Sequence, residues 1–125
     1  MNRHQTREKA MICLYQSLLL KRDIKSVVYD NTNGSNQIDP FLYTITIDAY
    51  DNLDYYIQLI NQNLNKSWTF DRLGYVEQAI LIMACSELTF KTAQKPIVID
   101  EAVILAKTYC DEDAYKLING VLDKL

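Results

Sequence analysis

The chain has 125 residues, of which 49% are hydrophobic and 23% charged, and a formal net charge of −3, so it suits one domain with enough apolar material for a real core. Three glycines and two prolines are too few for the many tight turns of a β-sandwich, and the balance favours a few long helices. No stretch approaches the roughly 20 apolar residues of a membrane span, and the opening "MNRHQTREKA" lacks the apolar centre of a secretory signal.

Charge is unevenly spread. Residues 1–25 hold Arg3, Arg7, Lys9, Lys21, Arg22 and Lys25 against Glu8 and Asp23, a surplus of four positive charges that leaves seven negative for the rest. A basic end on an acidic body suggests one face for an anion and others for a basic partner, and it reads equally as solvated surface charge.

The first predicted helix is "TREKAMICLYQSLLLKR", in which Met11, Leu14, Tyr15 and Leu18 recur at spacings of three and four. Arg3 and Arg7 are one turn apart and can present together. "DIKSVVYD" predicts a short helix capped by Asp23. Asp30–Gln37, "DNTNGSNQ", is a polar cluster of turn formers and predicts a loop. Asp39-Pro40 then marks a helix start, with an N-cap acceptor ahead of proline at the first helical position. The next stretch, "FLYTITIDAY", alternates like a strand. Leu42, Ile45, Ala49, Leu53, Tyr56, Ile57, Ile60 and Leu64 keep helical spacing for many turns, so length decides for helix.

The pattern breaks around Ser67–Phe70. Leu73, Val76, Ile80, Met83, Ala84 and Leu88 form another helix, apolar nearly all round through "AILIMA", which predicts a central element. "TAQKP" reads as a connector ending at Pro96. Ile99, Ala102, Val103 and Ala106 line a further helix. Asp111 is expected to cap the last one, with Glu112 and Asp113 in its first turn complementing the dipole. Leu117, Ile118, Val121, Leu122 and Leu125 form its buried stripe, interrupted by Asn119-Gly120. Glycine inside a helix costs about 1 kcal/mol relative to alanine. Gly120 lies on the flank of the Leu117/Val121 stripe, and its missing side chain suggests the close approach of a neighbouring helix. The fold class read from these elements is all-α, with five substantial helices and about seven counting short ones.

Few residues carry chemistry. His4 is the only histidine and falls in a terminus expected to fray, with no second ligand beside it. "CDEDAY" lacks the glycine and later glutamate of a calcium loop. Neither a glycine-rich phosphate loop nor a nucleophile elbow occurs. Cys13, Cys85 and Cys110 are far apart and without CxxC spacing, which fits buried thiols in a reducing cytoplasm. These residues describe a small cytoplasmic helical binding module, not an enzyme, with neither cofactor nor metal.

"RLGYVEQAILIMACSEL" and "KPIVIDEAVILAKTYCDEDAYKLINGVLDKL" resemble the NusB family of transcription antitermination factors, with its RL-x-x-VE-x-AIL, P-x-x-x-x-x-NEA-x-x-LAK and F-V-NGVLD stretches. "RHQTREKAMICLYQ" matches the family's R-x-x-A-x-x-x-LYQ opening more loosely. The resemblance covers residues 3–20 and 68–125. It implies a single all-α domain over 1–125, about seven helices arranged as two small helical bundles. It also implies binding of a boxA-like single-stranded RNA together with NusE, a small-subunit ribosomal protein. The setting would be the antitermination complex with RNA polymerase, supporting processive transcription of ribosomal RNA operons. Carried over by position, Arg3, Arg7, Asp113, Lys116 and Leu117 fall on the RNA side. Tyr15, Asp71 and Glu77 fall on the NusE side. Tyr15 reads equally as part of the core stripe, Glu77 as a solvated helix residue and Asp71 as a cap. The chain departs from the family in its thinned basic start (Arg3, Arg7 and Lys9, with His4 and Gln5 between), in Asp100 for asparagine and in Ile82 for a common arginine. The alternative function is a helical protein-interaction module, or a homodimer, with lost or weak RNA binding.

Overall fold

Helix α1 (Arg3–Leu20) begins one residue after Asn2, whose side chain accepts from the Gln5 backbone N–H while the Gln5 side chain accepts from the Asn2 N–H. This reciprocal cap fixes the start of the chain, so His4 is held in the first turn instead of fraying. The structure, a computed structural model, describes residues 1–34 and 37–125. Lys21 ends α1 in the left-handed conformation. Asp23 caps α2 (Ile24–Asn31) as predicted, accepting from the Ser26 N–H. The predicted loop starts later than Asp30, because α2 runs on to Asn31, whose amide bonds the Val27 carbonyl and the Gln16 side chain. Ser35 and Asn36 of that loop lie outside the described residues.

Asp39 accepts from the Leu42 N–H and Pro40 occupies the first turn of α3 (Pro40–Tyr43), as the sequence predicts. The strand-like "FLYTITI" is helical, but its turn is wide: Thr44–Asp48 is a π segment leading into α4 (Ala49–Asp51). The wide turn brings Ile45, Thr46 and Ile47 inward in succession, so the strand-like alternation of the sequence does not correspond to alternating burial. The loosened backbone is met by side chains: Thr46 Oγ1 donates to the Leu42 carbonyl at 2.6 Å, and Ser86 Oγ to the Thr44 carbonyl at 3.0 Å. Helix α5 (Leu53–Asn63) continues the predicted stripe after a kink at Asn52.

Helix α6 (Tyr75–Phe90) is the central element, buried without interruption from Gln78 to Glu87. It packs against α1, the π segment, α5, α7 and α8; α1, α2 and the π segment also pack on one another, as do α7 and α8, so two small helical groups share α6. Ile82 is fully buried in this core. Helix α7 (Lys95–Tyr109) starts before Pro96, which lies in its first turn; the connector ends at Gln94. Helix α8 (Ala114–Asp123) packs mainly on α7. Its start differs from the prediction. Asp111, Glu112 and Asp113 form a turn ahead of the helix, Asp113 holds the N-cap position, and no side chain caps the end. Lys95 Nζ ties down the C-terminus through the carbonyls of Asp123 (3.0 Å) and Leu125 (2.6 Å).

One buried ion pair joins α1 to α6. Arg7 Nε and Nη2 each donate to the Glu87 carboxylate at 2.8 Å, and Thr92 Oγ1 adds a third bond at 2.7 Å. The Arg7 side chain is 4% exposed and that of Glu87 1%. These hydrogen bonds hold the Arg7 pKa above its ordinary value. Removing one partner strands a buried charge. Arg7→Ala is therefore expected to cost about 3–5 kcal/mol in urea unfolding, and replacing both Arg7 and Glu87 by apolar residues should recover much of it. An Arg7→Ala protein with the parent's midpoint would show the pair to be dispensable.

Candidate nucleic-acid and protein interface

The end of α5, the turn after it and the start of α8 enclose a groove of about 550 Å³. Asp113, Lys116 and Leu117, predicted to act together, line it together, beside Trp68, Gly120 and Lys124. The wall that carries Trp68 is held by local bonds. Asn61 Oδ1 accepts from the Phe70 N–H at 2.8 Å, and Gln78 Nε2 donates to the carbonyls of Phe70 and Leu73 at 3.1 and 3.0 Å. Arg72, in the 3-10 turn Phe70–Arg72, donates to the Ser67 carbonyl at 2.7 Å and sets its guanidinium 5.4 Å from the Trp68 ring centroid.

The predicted close approach at Gly120 is absent. A Cβ there would meet no heavy atom within 4 Å, and Gly120 opens onto the groove. The α8 stripe is buried through Ile118, Val121 and Leu122 on the other face. Periodicity placed Gly120 on the stripe's flank but could not tell whether that flank meets a helix or open space.

A smaller hollow, of about 320 Å³, adjoins the first. Tyr15, Tyr75, Glu77, Tyr109, Cys110 and Asp111 line it, and Glu77 and Asp111 belong to both. Tyr15 packs against the core, as its core-stripe reading expects, and it also lines this hollow. Glu77 accepts from the Gly74 N–H at 3.2 Å at the start of α6 and is half-buried, so it is a helix cap as well as a groove residue. Asp71 is exposed in the 3-10 turn, accepts from Thr69 Oγ1 and lines neither hollow. Tyr109 donates to Glu8 at 2.6 Å, which raises its pKa. Burial, reinforced by the Glu77 and Asp111 charges, pushes the Cys110 thiol up to about 11, so it is a neutral side chain there and not a nucleophile.

The two arginines do not present together. Their one-turn spacing puts both on the same side of α1, but that side turns into α6 at Arg7, whose guanidinium is committed to Glu87. Arg3 is exposed and lies 3.8 Å above the centroid of Phe41. It is roughly 18 Å along α1 from Tyr15 at 1.5 Å per residue. His4 beside it bonds Glu101 at 2.9 Å. Three carboxylates, Glu77, Asp111 and Asp113, line the groove with Lys116 and Lys124, and Lys116 Nζ pairs with Asp113 at 3.3 Å. Trp68 and Arg72 were given no role from the sequence, and Gly120 and Asp111 were given other ones, a helix contact and a cap. The available signal was a lone tryptophan in the polar run "NKSWTFDR".

Comparison with known proteins was decisive for family. The NusB family model matches residues 4–125. The chain is 40% identical over 129 residues to the transcription antitermination protein NusB of an Exiguobacterium species, covering 100% of this chain and 97% of that one. It is 35% identical to the NusB of Geobacillus kaustophilus, covering 100% and 95%. Among solved structures, Thermotoga maritima NusB superposes with a TM-score of 0.83 at 26% identity, covering 99% of this chain and 89% of that one. A complex described as the antitermination factors NusB and NusE with double-stranded RNA gives 0.71 at 30% identity, covering 99% and 96%. Among the described residues, no helix is long and apolar enough to cross a membrane.

Gly120→Ala tests the open groove floor. With nothing for the methyl group to meet, the helix-propensity gain of about 0.5–1 kcal/mol should raise the urea midpoint. A lowered midpoint would restore the close-packing account.

Proposed function

The chain belongs to the NusB family, and from that premise we propose that it binds a boxA-like single-stranded RNA jointly with NusE, as part of the antitermination complex with RNA polymerase on ribosomal RNA operons. The family is one of transcription antitermination factors, so the surface is a binding surface without a catalytic step. One observation carries the joint reading. Asp113, Lys116 and Leu117, assigned to RNA, and Tyr15 and Glu77, assigned to NusE, lie on adjoining hollows that share Glu77 and Asp111. RNA and a protein partner bound there would touch each other as well as this chain. Asp71 lies on the next turn and suits the same basic partner.

Charge sets the division of labour. With a net charge of −3 and carboxylates around the groove, the isolated chain neutralises few phosphates. Arg3, at the far end of α1, offers one phosphate contact; Arg7, buried against Glu87, offers none. A basic ribosomal protein docked on Glu77 and Asp71 would cancel local repulsion and extend the cationic surface. The duplex in the related complex makes single strand against duplex a needed comparison.

The expected result is weak RNA binding by the isolated chain, tightened by NusE, with affinity falling with salt at a slope of roughly −0.7 per neutralised phosphate of a single strand. Arg3→Ala should shallow that slope by about one phosphate and leave NusE binding intact. Glu77→Gln keeps the cap to Gly74 while removing the charge. It should weaken NusE binding first and RNA binding only through it. RNA titrations at several salt concentrations, with and without NusE, read all three. NusE that binds without changing RNA affinity would replace this reading with a protein-interaction module.

A further inference from the structure

We propose that the groove between Trp68 and Gly120 is a pocket for one unpaired nucleobase, with the Trp68 indole as its stacking face. The inference rests on the RNA-binding reading above and extends it to a site within the surface. Three features of the groove select a base over the other parts of an RNA chain.

The first is the aromatic wall. Trp68 is 39% exposed and lines the groove. Arg72 lies against the ring and is itself fastened to the Ser67 carbonyl, so the indole is backed by a fixed cation. A flat ring held by its own loop and open to a cavity is what an unstacked base packs upon, and such stacking tolerates any base. The second is the floor. Gly120 presents no side chain, and space remains open above it. Any larger residue at this position of α8 would project into the cavity that the base occupies. The helix thus accepts the propensity cost of glycine with no backbone reason for it, since Gly120 is not among the glycines with positive φ.

The third is charge. Glu77, Asp111 and Asp113 line the groove, so a phosphate inside would meet like charges, whereas a neutral base would not. Carboxylates also accept hydrogen bonds from exocyclic amino groups, which adenine, cytosine and guanine carry and uracil lacks. Lys116 and Lys124 line the same groove and supply cations for the flanking phosphates. A basic protein segment would satisfy the carboxylates too, but it makes no use of a flat aromatic wall over an empty floor.

Trp68 is the only tryptophan in the chain, so its emission reports on the pocket directly. The probe is an unstructured single-stranded RNA of mixed sequence and about a dozen nucleotides, titrated into the chain with NusE present at a fixed, saturating level. Binding is followed by anisotropy of a labelled copy and, separately, by Trp68 emission, corrected for any tryptophan of NusE by the same titration on Trp68→Leu. The expected result is quenching that saturates together with the anisotropy, while inorganic polyphosphate competes for binding without quenching. Trp68→Leu and Gly120→Leu should each weaken RNA binding roughly ten-fold with NusE affinity unchanged. Gly120→Leu, whose Cβ meets nothing in the fold, should keep the parent's helicity and a midpoint no lower than the parent's, and so guards against misreading an unfolded Trp68 variant. If RNA binds with parental affinity to both variants and leaves the emission unchanged, the base pocket is overturned while the RNA reading stands. Variants that lose NusE and keep RNA would assign the groove to protein and overturn it as well. A parent complex that binds no RNA removes both the pocket and the reading beneath it.

Discussion

A carboxylate buried in the middle of a helical protein is a severe constraint. Glu87 lies near the C-terminal end of α6, 1% exposed, and the structure is arranged so that Arg7 reaches it with two parallel hydrogen bonds. Without the guanidinium the charge would have no adequate partner, because Thr92 supplies only one hydroxyl. The pair fixes the depth and rotation of α1 against α6. Phe41 then closes over Arg7, with its ring centroid 5.3 Å from that guanidinium and 3.8 Å from that of Arg3. From this anchor, α1 carries Tyr15 to the hollow beside Glu77.

The face that carries the two hollows is built from small elements leaning on the same central helix. Gln78, one turn into α6, spends its amide on the carbonyls of Phe70 and Leu73, and Asn61 at the end of α5 takes the Phe70 N–H. These bonds hold a short turn that would otherwise be free to move, and that turn carries Trp68, Asp71 and Arg72. Opposite it, α8 begins from an uncapped acidic turn. The carboxylates of Asp111 and Asp113 are therefore concentrated at the groove's edge. Rigid helices set the distances, and the polar turns between them supply many of the groups that line the two hollows.

Local signals were legible wherever one stretch of chain decides the outcome. Asp23 and Asp39-Pro40 cap helices because a side chain bonds its own neighbours, and that chemistry needs no tertiary context. The central position of α6 follows from an apolar run that has no polar side to give to water. The π segment was partly legible. Length argued for helix and the alternation for strand, and the segment is helical with a wide turn. The acidic run at 111–113 was misplaced by a few residues, because capping depends on where the first turn closes.

The all-α class, the order of the helices, the motifs that resemble the NusB family and the concentration of positive charge at the start of the chain were all determined by the sequence alone. They depend on composition, periodicity and short-range bonding. Tertiary structure decided which polar residues face solvent. Arg3 and Arg7 are equivalent by spacing, yet one lies open over Phe41 and the other is consumed by a carboxylate 80 residues away. Gly120 fits a helix contact by pattern, yet it faces empty space beside Trp68. Burial and pairing are properties of surfaces brought together from distant parts of the chain, and no local spacing specifies which surface will arrive.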